Sequence, residues 1–405
     1  MDPVKRQYEA YPYPARDPAE EDARLITGSP SHPVEIDHFV FGGARDWSQP
    51  FRALVAGGGT GDALIMLAQL LGDRGTPAEI VYLDMSEASR AIAEARAARR
   101  GLTNIDFRTG DLLSAPDLGP FDYIDCCGVL HHLPDPQAGF DALAAALSPE
   151  GGMGAMVYAP YGRAGVYEAQ AMLRALCADA APEDQVALAK GLLAELPPTN
   201  ALARNTLVGD HHGSDAGLYD LLLHSRDTPF EAARVHDSLD RAGLRLAGWL
   251  EPARYAPETY LRDKTTLDRL KQLSPSERDA FVERLAGNMK AHVFYAVPAG
   301  RKNTVASPAA PQAIPVIHKT ERTALARTIS ERGRLRFTVD GLTLERGVDR
   351  SAGRLVARMS GAATLADLQQ ASGADWLRFS AAFARLYAPL DGFNLLRFSR
   401  FNLPG

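Results

Sequence analysis

Between Leu54 and Asp62 the chain reads Leu-Val-Ala-Gly-Gly-Gly-Thr-Gly-Asp, an apolar run that ends in a glycine cluster and passes at once into an amphipathic stretch. Glycines at such a turn let backbone approach a ligand closely, and the helix start behind them offers free N–H groups and positive partial charge. The turn therefore suits the polar end of a nucleotide-like molecule. Spacing narrows the ligand. A dinucleotide fingerprint has the pattern G-x-G-x-x-G, and counted from Gly57 its third glycine would fall on Asp62. Here Gly57, Gly59 and Gly61 alternate instead.

Further polar residues fall where apolar runs end. Asp84 closes Val-Tyr-Leu-Asp with Met85 beside it, and Asp111 stands in Thr-Gly-Asp-Leu-Leu. Each alone reads equally well as a helix N-cap. His131 and His132 follow Gly128 and Val129 in Phe-Asp-Tyr-Ile-Asp-Cys-Cys-Gly-Val-Leu-His-His-Leu. Imidazole titrates near neutrality, so the pair suits a general base, or else packing and capping. His211 and His212, with Asp210 and Asp215 nearby, read as a solvated loop or a pocket wall, since zinc needs three or four converging ligands. Cys126 and Cys127 read as core, and the three cysteines of the chain make neither a disulfide framework nor a spaced zinc site. No metal is expected.

The alternating glycines, the two carboxylates and the Gly-Val-Leu-His-His-Leu stretch together resemble the class I (Rossmann-like) S-adenosylmethionine-dependent methyltransferases of the bacterial multidomain type, some of which modify protein lysines. The resemblance runs from about residue 51 to 159. It implies S-adenosylmethionine as cofactor, held by Gly57, Gly59, Gly61, Asp84, Met85, Asp111, Leu112, Gly128 and Val129. Asp84 would take the ribose hydroxyls, Met85 the adenine face and Asp111 the adenine amino group. His131 and His132 would lie near the reacting methyl. The acidic residue that many members carry before the first glycine is Ala56 here. A nicotinamide-dependent oxidoreductase and a non-catalytic S-adenosylmethionine-binding regulatory protein stand as alternatives; titration with S-adenosylhomocysteine and NAD separates the first, and transfer of labelled methyl the second.

These residues need a scaffold. Short apolar runs at 52–56, 79–83, 104–108, 121–127 and 152–158 alternate with amphipathic stretches at 62–71, 86–99 and 137–147, the rhythm of a parallel sheet covered by helices. Later runs at 244–250 and 292–297 would complete an α/β, seven-stranded, mostly parallel doubly wound sheet. Helical insertions are expected at about 164–229 and 251–290. Residues 1–50 are rich in Tyr and Pro and read as a cap, not a core element, with Tyr11 and Tyr13 as substrate or cofactor contacts. Proline-rich 299–320 reads as a linker, and 321–405 as a small α/β or winged-helix-like accessory domain.

At 405 residues, with 46% hydrophobic and 23% charged residues, the chain is long enough for more than one core. No apolar run approaches the roughly 18–20 residues of a membrane span, and the amino terminus lacks a signal-peptide pattern. A cytoplasmic location with no membrane partner is expected. The net charge of −6 argues against nucleic acid. From Glu321 onward there are 13 Arg and no Lys against 8 acids, net +5, which leaves −11 on the first 320 residues. The expected partner is a small-molecule or protein substrate, with homo-oligomerisation left open.

Overall fold

β1 (Phe51–Ala56) is apolar on both faces, and an apolar strand must be covered on both sides. In the computed structural model, which describes residues 2–177 and 180–402, it is the third strand of a seven-stranded sheet. The other strands are β2 (Ala78–Asp84), β3 (Ile105–Thr109), β4 (Phe121–Cys127), β5 (Leu147–Tyr158), β6 (Leu244–Trp249) and β7 (Ala291–Pro298). Their order is β3-β2-β1-β4-β5-β7-β6. β7 runs antiparallel to both of its neighbours, and the remaining pairings are parallel. Chain direction across the sheet reverses between β1 and β4, and ligands of open α/β sheets bind above the strand ends at that switch point. All seven strands fall where the sequence puts them, except that β5 begins earlier, at Leu147 and not at 152.

Helices Asp62–Arg74, Glu87–Arg99 and Pro136–Ala145 connect the parallel strands. Two apolar clusters fill the two faces of the sheet. One is built around Leu54, Ile124, Phe140 and Phe294, the other around Val55, Leu67, Tyr82 and Tyr295.

The first fifty residues depart from expectation. Helix Pro3–Ala10 meets the start of helix Glu87–Arg99, where Glu9 accepts the Glu87 amide at 2.7 Å, but helix Pro33–Val40 is buried along its whole length, and Phe39 stacks on Tyr295 at 4.5 Å. That segment is a core element, not a cap. Pro3 and Pro33 stand at the first helical position of these two helices, where a missing N–H costs nothing.

Helices Val166–Cys177 and Pro182–Ala194 form most of the first insertion around their own apolar cluster. A π-helical turn, Tyr219–Leu223, packs on them. Helices Lys264–Leu270 and Pro275–Ala286 make the second, joined through a Ser274–Glu277 capping box.

Residues 299–320 are not a free spacer. Within them β8 (Pro315–Ile317) pairs antiparallel with a strand near the carboxy terminus, Leu396–Phe398. Beyond 320 lie helices Arg322–Arg332, Ala352–Arg358, Leu365–Ser372 and Trp376–Gly392, and a hairpin of Arg334–Val339 with Leu342–Gly347. They share a cluster centred on Ile329, Val356 and Phe383.

This unit is bolted to the sheet through two buried acids of helix Pro33–Val40. Glu35 meets His318 Nε2 at 2.9 Å and accepts from Asn394 Nδ2 at 2.6 Å, and Asp37 accepts from Ser399 Oγ at 2.7 Å.

Candidate functional site

Gly57, Gly59 and Gly61 all adopt positive φ, which side chains with a Cβ rarely tolerate. A Cβ at Gly57 would stand 2.3 Å from Val129 Cγ2, and one at Gly59 would stand 3.1 Å from the Tyr13 carbonyl. The loop is thus folded tightly between the β4 exit and the amino-terminal arm. Asp84, at the end of β2, holds it from the other side, accepting Gly59 N–H and Ser86 N–H, each at 2.8 Å. Burial raises the Asp84 pKa, against the opposing pull of those amides.

One cavity of about 440 Å³ opens over these strand ends. Its wall runs from Asp84 and Met85 after β2, and Asp111 and Leu112 after β3, past Gly57 and Gly59. It continues along Gly128 and Val129 after β4 to Met156 and Tyr158 on β5. Eight of the nine residues expected to hold the cofactor line it. The exception is Gly61, where a Cβ would press on Ala93, so this glycine serves the contact between two helices. Asp111 also caps the turn that follows, accepting Leu113 N–H at 2.9 Å. The cradle fits an adenosine carrying a polar tail: Leu83, Met85 and Leu112 give it apolar walls, and Asp84 and Asp111 stand beside them.

The amino-terminal arm closes over this cradle. Thr60 Oγ1 donates to the Pro14 carbonyl at 2.7 Å, and Arg16 pairs with Asp62 at 2.5 Å. Tyr13 lines the cavity as expected. Tyr11 does not, because it stacks on Tyr219 at 5.1 Å outside it; Tyr8 lines the cavity instead.

Past the glycine loop, Tyr8, Tyr158, His132, Asp220 and Arg226 converge on the cavity. Asp220, buried on the π-helical turn, accepts Tyr8 Oη–H at 3.0 Å and Tyr158 Oη–H at 3.3 Å. Burial pushes its carboxyl up to about 7. His224 Nδ1 accepts the Arg226 amide at 3.1 Å, so the proton of its neutral ring sits on Nε2, which faces Tyr8 Oη at 3.2 Å. His132 has the opposite tautomer, since its Nδ1 donates to the Arg226 carbonyl at 2.7 Å. The two rings stack at 3.6 Å.

Burial lowers the His132 pKa to about 4 and that of His131 well below its usual value. His131 lies outside the cavity wall, and neither of its ring nitrogens has a hydrogen-bond partner among the described residues. It packs edge-on against His132 and at a tilt against Tyr158. The His pair is therefore split: one ring in the wall, one in the packing behind it.

Ligand atoms of His132, Asp220 and His224 lie within 4.8 Å of one another, a separation that would admit a cation. The tautomer of His224 opposes it, because Nε2 presents a hydrogen and not a lone pair. The cluster works as a hydrogen-bond relay from His224 through Tyr8 to Asp220. His211 and His212 lie on the short turn Asp210–Gly213 outside the cavity wall, and Asp215 pairs with Lys190.

Asp220, Tyr158 and His224 went unread in the sequence. The legible signal was Asp220-Leu-Leu-Leu-His224, whose i,i+4 spacing brings a carboxylate and an imidazole to one helical face.

A methyltransferase-domain family model matches residues 54–153. An uncharacterized protein of Synechococcus sp. is 31% identical over 289 residues, which cover 70% of this chain and 68% of that protein. The ubiquinone biosynthesis O-methyltransferase of Idiomarina loihiensis is 33% identical over 88 residues, 21% of this chain and 35% of that enzyme. Among solved structures, PKMT2 from Rickettsia typhi superimposes with a TM-score of 0.64 over 93% of this chain and 77% of its own, at 13% identity. Its complex with AdoHcy gives 0.60. At that identity the likeness speaks for the fold alone. The chain belongs to the class I S-adenosylmethionine-dependent methyltransferases. It is an enzyme of that family, and S-adenosylmethionine is its cofactor.

Proposed function

We propose that this methyltransferase acts on an amine nitrogen, carried by a protein lysine or by a small molecule, with Asp220 as the proton acceptor. The observation that carries the reading is a buried carboxylate in the cavity wall, hydrogen-bonded by two phenols and poised at about 7. An amine reaches the site as an ammonium, and an ammonium must lose a proton before its lone pair can attack. S-adenosylmethionine, when bound, supplies a methyl group on a positively charged sulfur. Everything else is left to the protein: orienting the nucleophile, taking its proton and excluding water.

Asp220 attracts the cationic head group, and the phenols of Tyr8 and Tyr158 hold its carboxylate in one orientation. A base with a pKa near the working pH is the efficient choice. His132, a much weaker base, serves as wall and hydrogen-bond acceptor, so the proton-accepting role expected of the His131–His132 pair passes to Asp220. In this reading Asp84 and Asp111 hold the adenosine, the glycine loop and Gly128–Val129 seat the methionine end, and residues 8–16 act as the cover.

A catalytic unit at 51–298, with helix Pro33–Val40 packed into its core, and an accessory unit from 321 work in the cytoplasm without nucleic acid in this reading. No helix among the described residues is long and apolar enough to cross a membrane.

The test is transfer of labelled methyl to a lysate split into protein, nucleic-acid and metabolite fractions, followed by identification of the methylated atom. Label on nitrogen in the protein or metabolite fraction is expected. Label confined to oxygen or sulfur would overturn the amine reading.

A further inference from the structure

Six carboxylates line the cavity: Asp2, Asp62, Asp84, Asp111, Asp125 and Asp220. Five have evident engagements. Asp2 faces Arg226 at 3.5 Å, Asp62 is shared by Arg16 and Arg96, and Asp84 is tied to two backbone amides. Asp111 caps a turn and Asp220 is held by two phenols. Asp125 remains. It lies on β4 directly beside Val55 of β1, just below Gly57 and Gly128, and it is 2% exposed. No cation pairs with it among the described residues; Ser31 Oγ donates to it at 2.6 Å, and the Cys127 amide of its own strand end donates as well. An unpaired buried carboxylate is expensive unless something charged comes to it.

We infer that Asp125, steadied by Ser31, is the seat for the α-ammonium of the cofactor's methionine end. The inference rests on the identity of the cofactor and is independent of the amine reading. The cofactor ends in an amino acid, and its ammonium needs an anionic or carbonyl acceptor close to the glycine loop. Ala56, immediately before that loop, offers no side-chain acceptor. The neighbouring strand supplies one. Burial raises the Asp125 pKa to about 7, a cost that an arriving ammonium would offset. Cys126 and Cys127, which follow it along β4, are held neutral by burial and do not compete.

Isothermal titration of the full-length protein tests this with two probes. One is S-adenosylhomocysteine; the other is 5′-deoxy-5′-methylthioadenosine, which lacks the amino-acid end. Asp125→Asn keeps the shape and the Ser31 contact, and should weaken S-adenosylhomocysteine about tenfold or more while leaving the truncated nucleoside unaffected. Unchanged affinity for S-adenosylhomocysteine, or an equal loss for both probes, would overturn the assignment. A second arm needs no mutation. The wild-type protein should bind a deaminated S-adenosylhomocysteine about tenfold or more weakly, and equal affinity for the deaminated and natural forms would also overturn it.

Discussion

Tyr8 and Asp220 are separated by 212 positions in the chain, yet the phenol hydroxyl lies 3.0 Å from the carboxylate. The contact joins the amino-terminal arm to the inserted helices, and the same arm reaches back to the glycine loop through Thr60 and to helix Asp62–Arg74 through Arg16. Cover, cofactor cradle and acceptor wall are therefore one connected structure.

Removal of residues 1–15 should lower turnover strongly, because it takes away Tyr8, Tyr13 and the Pro14 carbonyl together. Tyr8→Phe is the milder probe. It deletes the hydrogen bond to Asp220 and the one from His224 Nε2; the first, to a charged group, is worth about 1.5–3 kcal/mol, so kcat should fall and the melting temperature with it. Wild-type kcat in both variants would show the arm to be a surface feature.

Asp84→Ala should weaken S-adenosylhomocysteine about tenfold or more, by loss of charge-assisted bonds to the ligand and of its hold on Gly59. Gly59→Val should abolish binding, since a branched side chain at positive φ would also press on the Tyr13 carbonyl. Calorimetry on each variant reads both effects.

Stability should depend on pH in a definite direction. The Asp220 pKa is raised on folding from the ordinary carboxylate range to about 7. A raised pKa means that the folded state favours the protonated form. The contribution is fully present below about pH 4 and is lost as pH climbs to 7. Asp220→Asn removes that loss, so the unliganded variant should melt higher than wild type at pH 8, by roughly 2 kcal/mol or more in free energy. The two should converge near pH 4. Thermal melts across that range check it, and a variant no more stable than wild type at pH 8 would contradict the raised pKa.

A chain ending at Lys302 should unfold or aggregate. It would strip Glu35 of His318, Lys319 and Asn394, and Asp37 of Ser399 and Arg400, leaving two buried acids short of partners. Losing the partner of one buried charge alone costs about 3–5 kcal/mol. Circular dichroism and S-adenosylhomocysteine titration decide the matter. A folded, binding-competent truncation would show the carboxy-terminal unit to be separable.

The sheet was legible because its strands are short apolar runs bounded by glycine, proline or aspartate, and the cofactor cradle because its glycines and acids sit at strand ends. Helix Pro33–Val40 was not, because Glu35, Asp37 and His38 interrupt its apolar pattern although all three are buried. Glu35 and Asp37 have near partners in Ser29, Arg45 and Trp47, but those that fix the helix to the carboxy-terminal unit lie some 280–360 residues away, beyond the reach of any local pattern. Asp220 was hidden for a similar reason. Its raised pKa comes from burial beneath an arm and beside β5, which only the folded chain brings together. The histidine pair misled because adjacency in sequence suggested a shared role, whereas the turn after β4 sends one ring into the cavity wall and the other behind it.

The most direct test of the account is Asp220→Asn measured two ways in the same preparation. Single-turnover methyl transfer at pH 8 should fall by about 10²–10⁴-fold, the range general-base removal produces, while the dissociation constant for S-adenosylhomocysteine stays unchanged. Wild-type transfer would contradict Asp220 as the proton acceptor, and a matching loss of cofactor affinity would assign it to the cofactor site instead.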